Sequence, residues 1–159
     1  MRIRVDIGRQ CLELFGDDTA CIRRYAVSTA LNGVGEDAGS YRTPRGHHRI
    51  RARIGDGQPY GTVFRGRRPT GEYWTPGFAA AHPGRDWILS RILWLCGEEP
   101  GRNRLGAVDS MRRYIYIHGT GDDQPMGVPL SHGCVRMCNR DVIELFDLVA
   151  VGTKVEICE

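Results

Sequence analysis

The chain has 159 residues, of which 41% are hydrophobic and 26% charged, a composition typical of one soluble globular domain rather than a disordered or fibrous chain. Its formal net charge of +3 is too small to indicate a nucleic-acid partner, and no apolar run reaches the roughly 18 residues of a membrane-spanning helix. The 21 glycines favour a fold with many tight turns over a helical bundle.

The first 28 residues are predicted to form a meander of three strands. Hydrophobic and polar residues alternate over residues 2–7 and again over 11–15, which is the period-two pattern of a half-buried strand. The turn residues 16–18 then separate the second strand from a third over residues 22–28.

The middle of the chain is predicted to mix strands with irregular segments. Residues 32–41 are rich in glycine and polar side chains and are predicted to form a loop, followed by strands over 48–54 and 60–64. Residues 65–85 hold many Gly, Pro and Arg residues with little periodicity, which indicates an irregular excursion over the surface. The apolar run 87–95 is predicted to be a long buried strand, with a short helix as the alternative.

The C-terminal part is predicted to contain a strand, a helix and a last strand. The first strand covers residues 113–118 and the last covers 154–158. Between them, Asn139 can cap a helix that Gly152 closes, with Asp141 in the first turn. The helix has apolar residues at helical spacing, namely Val142, Leu145, Phe146 and Val149. The pattern predicts one β-rich domain over residues 1–159 with one or two helices.

Reactive side chains concentrate between residues 118 and 138. His118 ends a predicted strand, and the segment 131–134 (Ser-His-Gly-Cys) precedes the helix. The Gly- and Pro-containing loop between them can return Cys134 to the side of His118. Because an adjacent imidazole can take the proton of a thiol, this pattern predicts a nucleophilic Cys134 with His118 as its base. The N–H groups of Gly133 and Cys134 are candidates for an oxyanion hole.

Two other interpretations of this cluster stay open at this point. Cys134 and His118 can be ordinary packing residues. Zinc binding is the second alternative, with His118, His132, Cys134 and Cys138 as ligands. The C-x3-C spacing has no accompanying C-x2-C or H-x3-H pair, so the sequence favours no metal site and no cofactor.

The remaining cysteines and the basic residues carry weaker information. Lys154 is the only lysine, so 21 of the 22 basic residues are arginine, which fits either genomic base composition or carboxylate recognition. The six cysteines match no small disulfide scaffold, and Cys138 is interpreted as a packing residue or as incidental. Free thiols and a charged start without an apolar signal segment predict a cytoplasmic protein. The periplasm or cell wall is the alternative if an export segment precedes this sequence.

Four segments resemble the catalytic domain of the L,D-transpeptidase (YkuD-type) family. They are 118–120 (His-Gly-Thr), 131–137 (Ser-His-Gly-Cys-Val-Arg-Met), 27–29 (Val-Ser-Thr) and 43–46 (Thr-Pro-Arg-Gly), the last similar to the T-P-x-G turn of the family. The resemblance implies a mostly β fold with a small sandwich-like core. It also implies a peptidoglycan stem peptide or muropeptide as partner.

The resemblance further implies the reaction. Cys134 attacks the carbonyl between the third residue of a tetrapeptide stem, a diamino acid, and its terminal D-alanine, which leaves as a thioester forms. An amine acceptor then gives a 3→3 cross-link or an anchored protein, and water gives L,D-carboxypeptidase activity. We expect hydrolysis of soluble muropeptides, with exported cross-linking as the alternative. A cell-wall binding module without activity is the alternative of another class.

At matching positions the family suggests roles for the neighbouring residues. His118 is the base, held by the backbone carbonyl of Gly119 rather than by a carboxylate. His132 positions substrate or loop, and Ser131 supports hydrogen bonding. Arg136 holds the active-site loop or meets a substrate carboxylate, and a purely structural ion pair is an equal alternative.

Overall fold

The computed structural model describes all 159 residues and contains ten strands and two α-helices, which confirms the mostly β prediction. In chain order the elements are β1 (Arg2–Asp6), β2 (Cys11–Phe15), β3 (Cys21–Ser28), β4 (Gly46–Ile54), β5 (Thr62–Arg65), β6 (Arg68–Tyr73), α1 (Pro76–Ala81), β7 (Leu89–Gly97), β8 (Tyr116–Gly119), β9 (Val135–Met137), α2 (Asn139–Leu148) and β10 (Lys154–Cys158). Neither helix has the length and apolar character that a membrane crossing requires.

The strands form one sheet that closes on itself. Its order is β4-β10-β1-β2-β3-β9-β8-β7, and β7 pairs with β4 to complete the ring, while β5 and β6 extend from β7. β8 and β9 are parallel neighbours in which His118 lies opposite Arg136. This pairing sets the strand that carries His118 beside the strand that follows Cys134.

The main core lies between the sheet and α2. The predicted apolar face of α2 is confirmed, because Val142, Leu145 and Phe146 are fully buried. Each such side chain contributes about 1.5–3 kcal/mol by leaving water. Ile117 of β8 and Val135 of β9 join this core, so their neighbours along each strand point to the opposite face of the sheet.

The prediction of an irregular segment over residues 65–85 was wrong. The segment contains β6, which pairs with β5, and α1, in which Thr75 caps the backbone N–H of Phe78. α1 has no buried residue and β6 is almost wholly exposed. Neither element therefore carries the hydrophobic periodicity by which a sequence reveals structure.

Several boundaries also differ from the sequence prediction, among them those of α2, β8 and β7. The residue that caps α2 is Cys138, without a side-chain capping bond, and Asn139 is the first residue of the helix. The strand predicted over 113–118 begins only at Tyr116. The apolar run 87–95 is a strand rather than a helix, shifted to Leu89–Gly97.

Candidate active site

Side-chain hydrogen bonds reinforce the segment that carries Cys134, which begins at the β-bridge between Ser131 and Ala30. Ser131 Oγ donates to the Cys134 carbonyl at 2.6 Å and accepts from the Gly133 N–H at 3.2 Å. Thr43 Oγ1 donates to the Gly133 carbonyl at 2.9 Å and accepts from the Ala30 N–H at 3.0 Å. The backbone that leads into Cys134 is therefore braced from two sides.

Gly133 is required by the shape of this turn. Its φ is +131°, and a Cβ at this position would lie 3.3 Å from the carbonyl oxygen of Arg42. Its N–H already donates to Ser131 Oγ. Gly133 can serve as an oxyanion donor only by exchanging or sharing that bond.

The thiol of Cys134 is engaged by the backbone of a neighbouring segment. Sγ donates to the Tyr114 carbonyl and accepts from the Tyr116 N–H, each at 3.3 Å. Burial raises the pKa of Cys134 to about 12, and the hydrogen bond from Tyr116 opposes that rise only in part. At neutral pH Cys134 is therefore a protonated thiol rather than a thiolate.

His118 is buried, with 2% of its surface exposed, and its Nδ1 lies 2.7 Å from the carbonyl oxygen of Gly119. Because a carbonyl can only accept, Nδ1 carries the proton and Nε2 presents a lone pair. Burial lowers the pKa of His118 below its usual 6.5, which keeps the ring neutral at pH 7. His118 therefore has the tautomer that a base needs. In the resting structure the Cys134 sulfur is not hydrogen-bonded to His118, because both of its hydrogen bonds go to the backbone of residues 114 and 116.

Sequence reasoning missed Asp86, which joins two of the predicted site residues. Arg136 Nη2 lies 2.7 Å from Asp86 Oδ1, and His132 Nδ1 lies 3.5 Å from Asp86 Oδ2. Arg136 is buried while His132 is largely exposed. Arg136 therefore takes part in an ion pair beside the site. Asp86 stands 46 positions before His132, directly after the segment 65–85 that was predicted to be irregular, and no local pattern marks it.

A cavity of about 430 Å³ opens beside this ion pair. Its lining includes Asp86, His132, Arg136, Thr120 and Asp123, and neither His118 nor Cys134 contributes to it. Of the predicted substrate-positioning residues, His132 and Arg136 thus face a polar cleft, whereas Ser131 and Cys134 lie outside its lining.

Asn139 connects α2 to the strand that carries His118. Its fully buried amide donates to the Thr120 carbonyl at 2.8 Å and to Asp122 Oδ1 at 3.0 Å, and its Oδ1 accepts from Ser90 Oγ at 2.6 Å. Asn139, which was predicted to cap the helix, therefore links α2 by hydrogen bonds to β7 and to the residues that follow β8.

The residues considered for zinc do not form a metal site in this structure. No three His, Cys, Asp or Glu side chains lie close enough to share an ion. All six cysteines are unpaired, and Cys138 is exposed rather than packed.

Comparison with known proteins identifies similar sequences. The model of the YkuD L,D-transpeptidase catalytic domain matches residues 1–157. A Bacillus licheniformis protein that carries the YkuD name is 46% identical over 46 residues, which are 29% of this chain and 28% of that protein. The Escherichia coli K12 protein named probable L,D-transpeptidase YbiS is 48% identical over 44 residues, 28% of this chain and 14% of that protein.

Solved structures share the fold at low identity. An Enterococcus faecium L,D-transpeptidase superposes with a TM-score of 0.58 at 16% identity, over 98% of this chain and 48% of that one. A Xylanimonas cellulosilytica L,D-transpeptidase gives a TM-score of 0.54 at 19% identity, over 98% of this chain and 58% of that one. The chain thus spans about half the length of these proteins, and the similarity describes the fold.

Proposed function

Because the chain belongs to the YkuD family of L,D-transpeptidase catalytic domains, we propose that it is a cysteine-dependent acyl enzyme acting on the L,D bond of peptidoglycan tetrapeptide stems. The observation that carries the proposal is the braced turn that holds Cys134 beside the strand of His118, whose Nε2 carries a free lone pair. An activated nucleophile needs such a base within reach.

The proposed reaction starts from a neutral thiol and a neutral imidazole. The Cys134 side chain turns away from the Tyr114 carbonyl, and its proton passes to His118 Nε2 as sulfur attacks the carbonyl of the diamino acid. The resulting imidazolium returns the proton to the amine of D-alanine, which leaves, and a thioester remains on Cys134. Backbone N–H groups of the turn offer hydrogen bonds to the oxyanion.

The second half of the proposed reaction uses water as acceptor. His118 removes a proton from water, hydroxide adds to the thioester, and the proton returns to sulfur as the tripeptide leaves. The products are D-alanine and a tripeptide, which is L,D-carboxypeptidase activity. Cross-linking to an amine is the second candidate, and the exposed carboxylate of Asp123 in the neighbouring cavity favours it by offering a partner for an ammonium group.

One assay separates the two outcomes. The protein is incubated with a disaccharide-tetrapeptide and the products are weighed by mass spectrometry. We expect free D-alanine and the tripeptide, whereas a cross-linked dimer would assign the transfer reaction. Product formation that is equal with Cys134→Ala would contradict the cysteine mechanism.

We also propose that the native protein acts in the cytoplasm, on soluble tetrapeptides. Six unpaired thiols support this location, because disulfides persist mainly in oxidising compartments and thiols stay reduced in the cytosol. Fractionation of cells that express the untagged native gene tests the location. Recovery from the periplasm or wall would refute it and would favour cross-linking.

A further inference from the structure

The tip of the β5–β6 hairpin has an unusual backbone conformation. The strands are joined by a two-residue turn, Gly66 and Arg67, with φ of +54° and +64°. Hairpin turns of this kind favour glycine or asparagine at both positions, because a side chain at positive φ is strained. An arginine at the second position persists when contacts hold it there, and such strain often marks a functional position.

Those contacts come from three aromatic residues. The Arg67 side chain folds back so that Nη1 donates to Tyr116 Oη at 3.1 Å. Its guanidinium carbon lies 4.7 Å from the centre of the Trp94 ring and 5.0 Å from that of Tyr114. Stacking on ring faces fixes the plane of a guanidinium and leaves its other N–H groups at the edge.

Arg67 has no carboxylate partner. Many arginines of this chain form ion pairs, including Arg85 with Glu72 and Arg136 with Asp86, whereas Arg67 forms none. A half-buried guanidinium with oriented free donors and no acidic neighbour is a ready receptor for a carboxylate.

The same tyrosines connect this guanidinium to the nucleophile. The Tyr116 N–H donates to Cys134 Sγ while its phenol holds Arg67, and the Tyr114 carbonyl accepts from Sγ while its ring faces Arg67. Arg67 therefore lies within the length of one tyrosine residue from the thiol. It does not line the cavity beside Asp86, so it marks a separate approach to Cys134.

We propose that Arg67, stacked on Trp94 and Tyr114, binds a carboxylate of the substrate and thereby determines specificity. The inference rests on the proposed function. The α-carboxylate of the terminal D-alanine fits best, because it is two bonds from the scissile nitrogen and must lie near Cys134 when that carbonyl is attacked. The side-chain carboxylate of the diamino acid is the other source of the same chemistry.

Binding to the inert Cys134→Ala variant tests the site without turnover. Calorimetric titration uses the free tetrapeptide, its D-alaninamide and a form amidated on the diamino acid. We expect D-alaninamide to bind roughly 10- to 100-fold more weakly than the free acid, the range of one charged hydrogen bond. A second change, Arg67→Gly, keeps the positive φ accessible and should remove this difference.

Arg68→Gln is the matched control, because it removes the same charge from the next position on the hairpin, where no aromatic contact exists. It should keep the preference for the free acid, in binding and in the ratio of kcat/KM values for acid and amide. If Arg67→Gly instead abolishes the loss of affinity caused by amidating the diamino acid, Arg67 still binds a substrate carboxylate. The bound carboxylate is then that of the diamino acid rather than that of D-alanine.

Three results would overturn the inference in distinguishable ways. If the peptides bind and are turned over, yet Arg67→Gly keeps full discrimination against both the D-alaninamide and the form amidated on the diamino acid, the inference alone fails. If no tetrapeptide binds at all, the proposed function fails and takes the carboxylate site with it. If Arg68→Gln loses as much discrimination as Arg67→Gly, the effect comes from the overall positive charge of the hairpin and not from a specific site at Arg67, which also refutes the inference.

Discussion

The burial of the Cys134 thiol predicts that the resting protein resists alkylation of this residue at neutral pH. Burial shifts the pKa of this thiol from 9.0 to about 12. At pH 7 the thiolate fraction is then about 10⁻⁵ instead of about 10⁻², and alkylation by iodoacetamide slows by roughly a thousandfold against a free cysteine. The same shift corresponds to about 4 kcal/mol that holds the proton on sulfur.

The rate of alkylation of the peptide that contains Cys134 is measured by mass spectrometry from pH 6 to pH 11. We expect the rate to rise about tenfold per pH unit over this range without a plateau. Unfolding the protein in urea should restore the reactivity of an ordinary thiol. Because the resting sulfur bonds to residues 114 and 116, His118→Ala should leave this pH profile unchanged. A plateau near pH 7 that disappears in His118→Ala would instead prove a preformed thiolate–imidazolium pair and refute this reading.

Four further outcomes follow from the site and its supports. Cys134→Ala should lower turnover on the order of 10³-fold or more and leave the circular dichroism spectrum unchanged, whereas Cys138→Ala should keep most activity. His118→Ala should be nearly as damaging, and the Cys134/His118 double variant scarcely worse than either single one, because the two residues act as a unit; additive losses in kcat/KM would contradict that. Thr43→Val leaves the Gly133 carbonyl and the Ala30 N–H unpaired, so the free energy of unfolding in urea should fall by about 2–4 kcal/mol, and Thr43→Ser should recover most of it. Burial lowers the pKa of His48 from 6.5 to about 4, so its contribution to stability is complete above pH 6.5, and about 3 kcal/mol is lost as the pH falls from 6.5 through 4. In His48→Gln the free energy of unfolding in urea should depend less on pH over that range. An unchanged pH dependence would refute the assignment to His48.

Local sequence patterns predicted the elements whose burial is regular. β1 alternates along the chain and α2 repeats at helical spacing, so each pattern reports the face that meets the core. The position of His118 at the end of a strand was likewise visible, since a glycine follows it directly. The prediction was strongest where neighbours in sequence are also neighbours in packing.

The parts that the sequence did not predict depend on contacts between distant residues. Asp86 meets Arg136 across 50 positions, and Thr43 meets the Gly133 carbonyl across 90. No local sequence pattern around Asp86 or Thr43 indicates either contact. The bond between the Cys134 thiol and the 114–116 backbone likewise depends on how two segments meet in space, so residue spacing alone placed the thiol near His118 without giving its resting bonds.

The Gly119 carbonyl, which orients His118, is compatible with a neutral thiol in the resting state. A carboxylate behind the ring would stabilise the imidazolium and raise its pKa, which would favour early proton transfer from sulfur. The Gly119 carbonyl fixes the same tautomer without adding a buried charge, and burial keeps the ring neutral. In the proposed mechanism, proton transfer becomes favourable only when Cys134 leaves the Tyr114 carbonyl, which a bound substrate can drive. A thiol that stays protonated until that step is also a poor target for oxidants, because the thiolate is the reactive form.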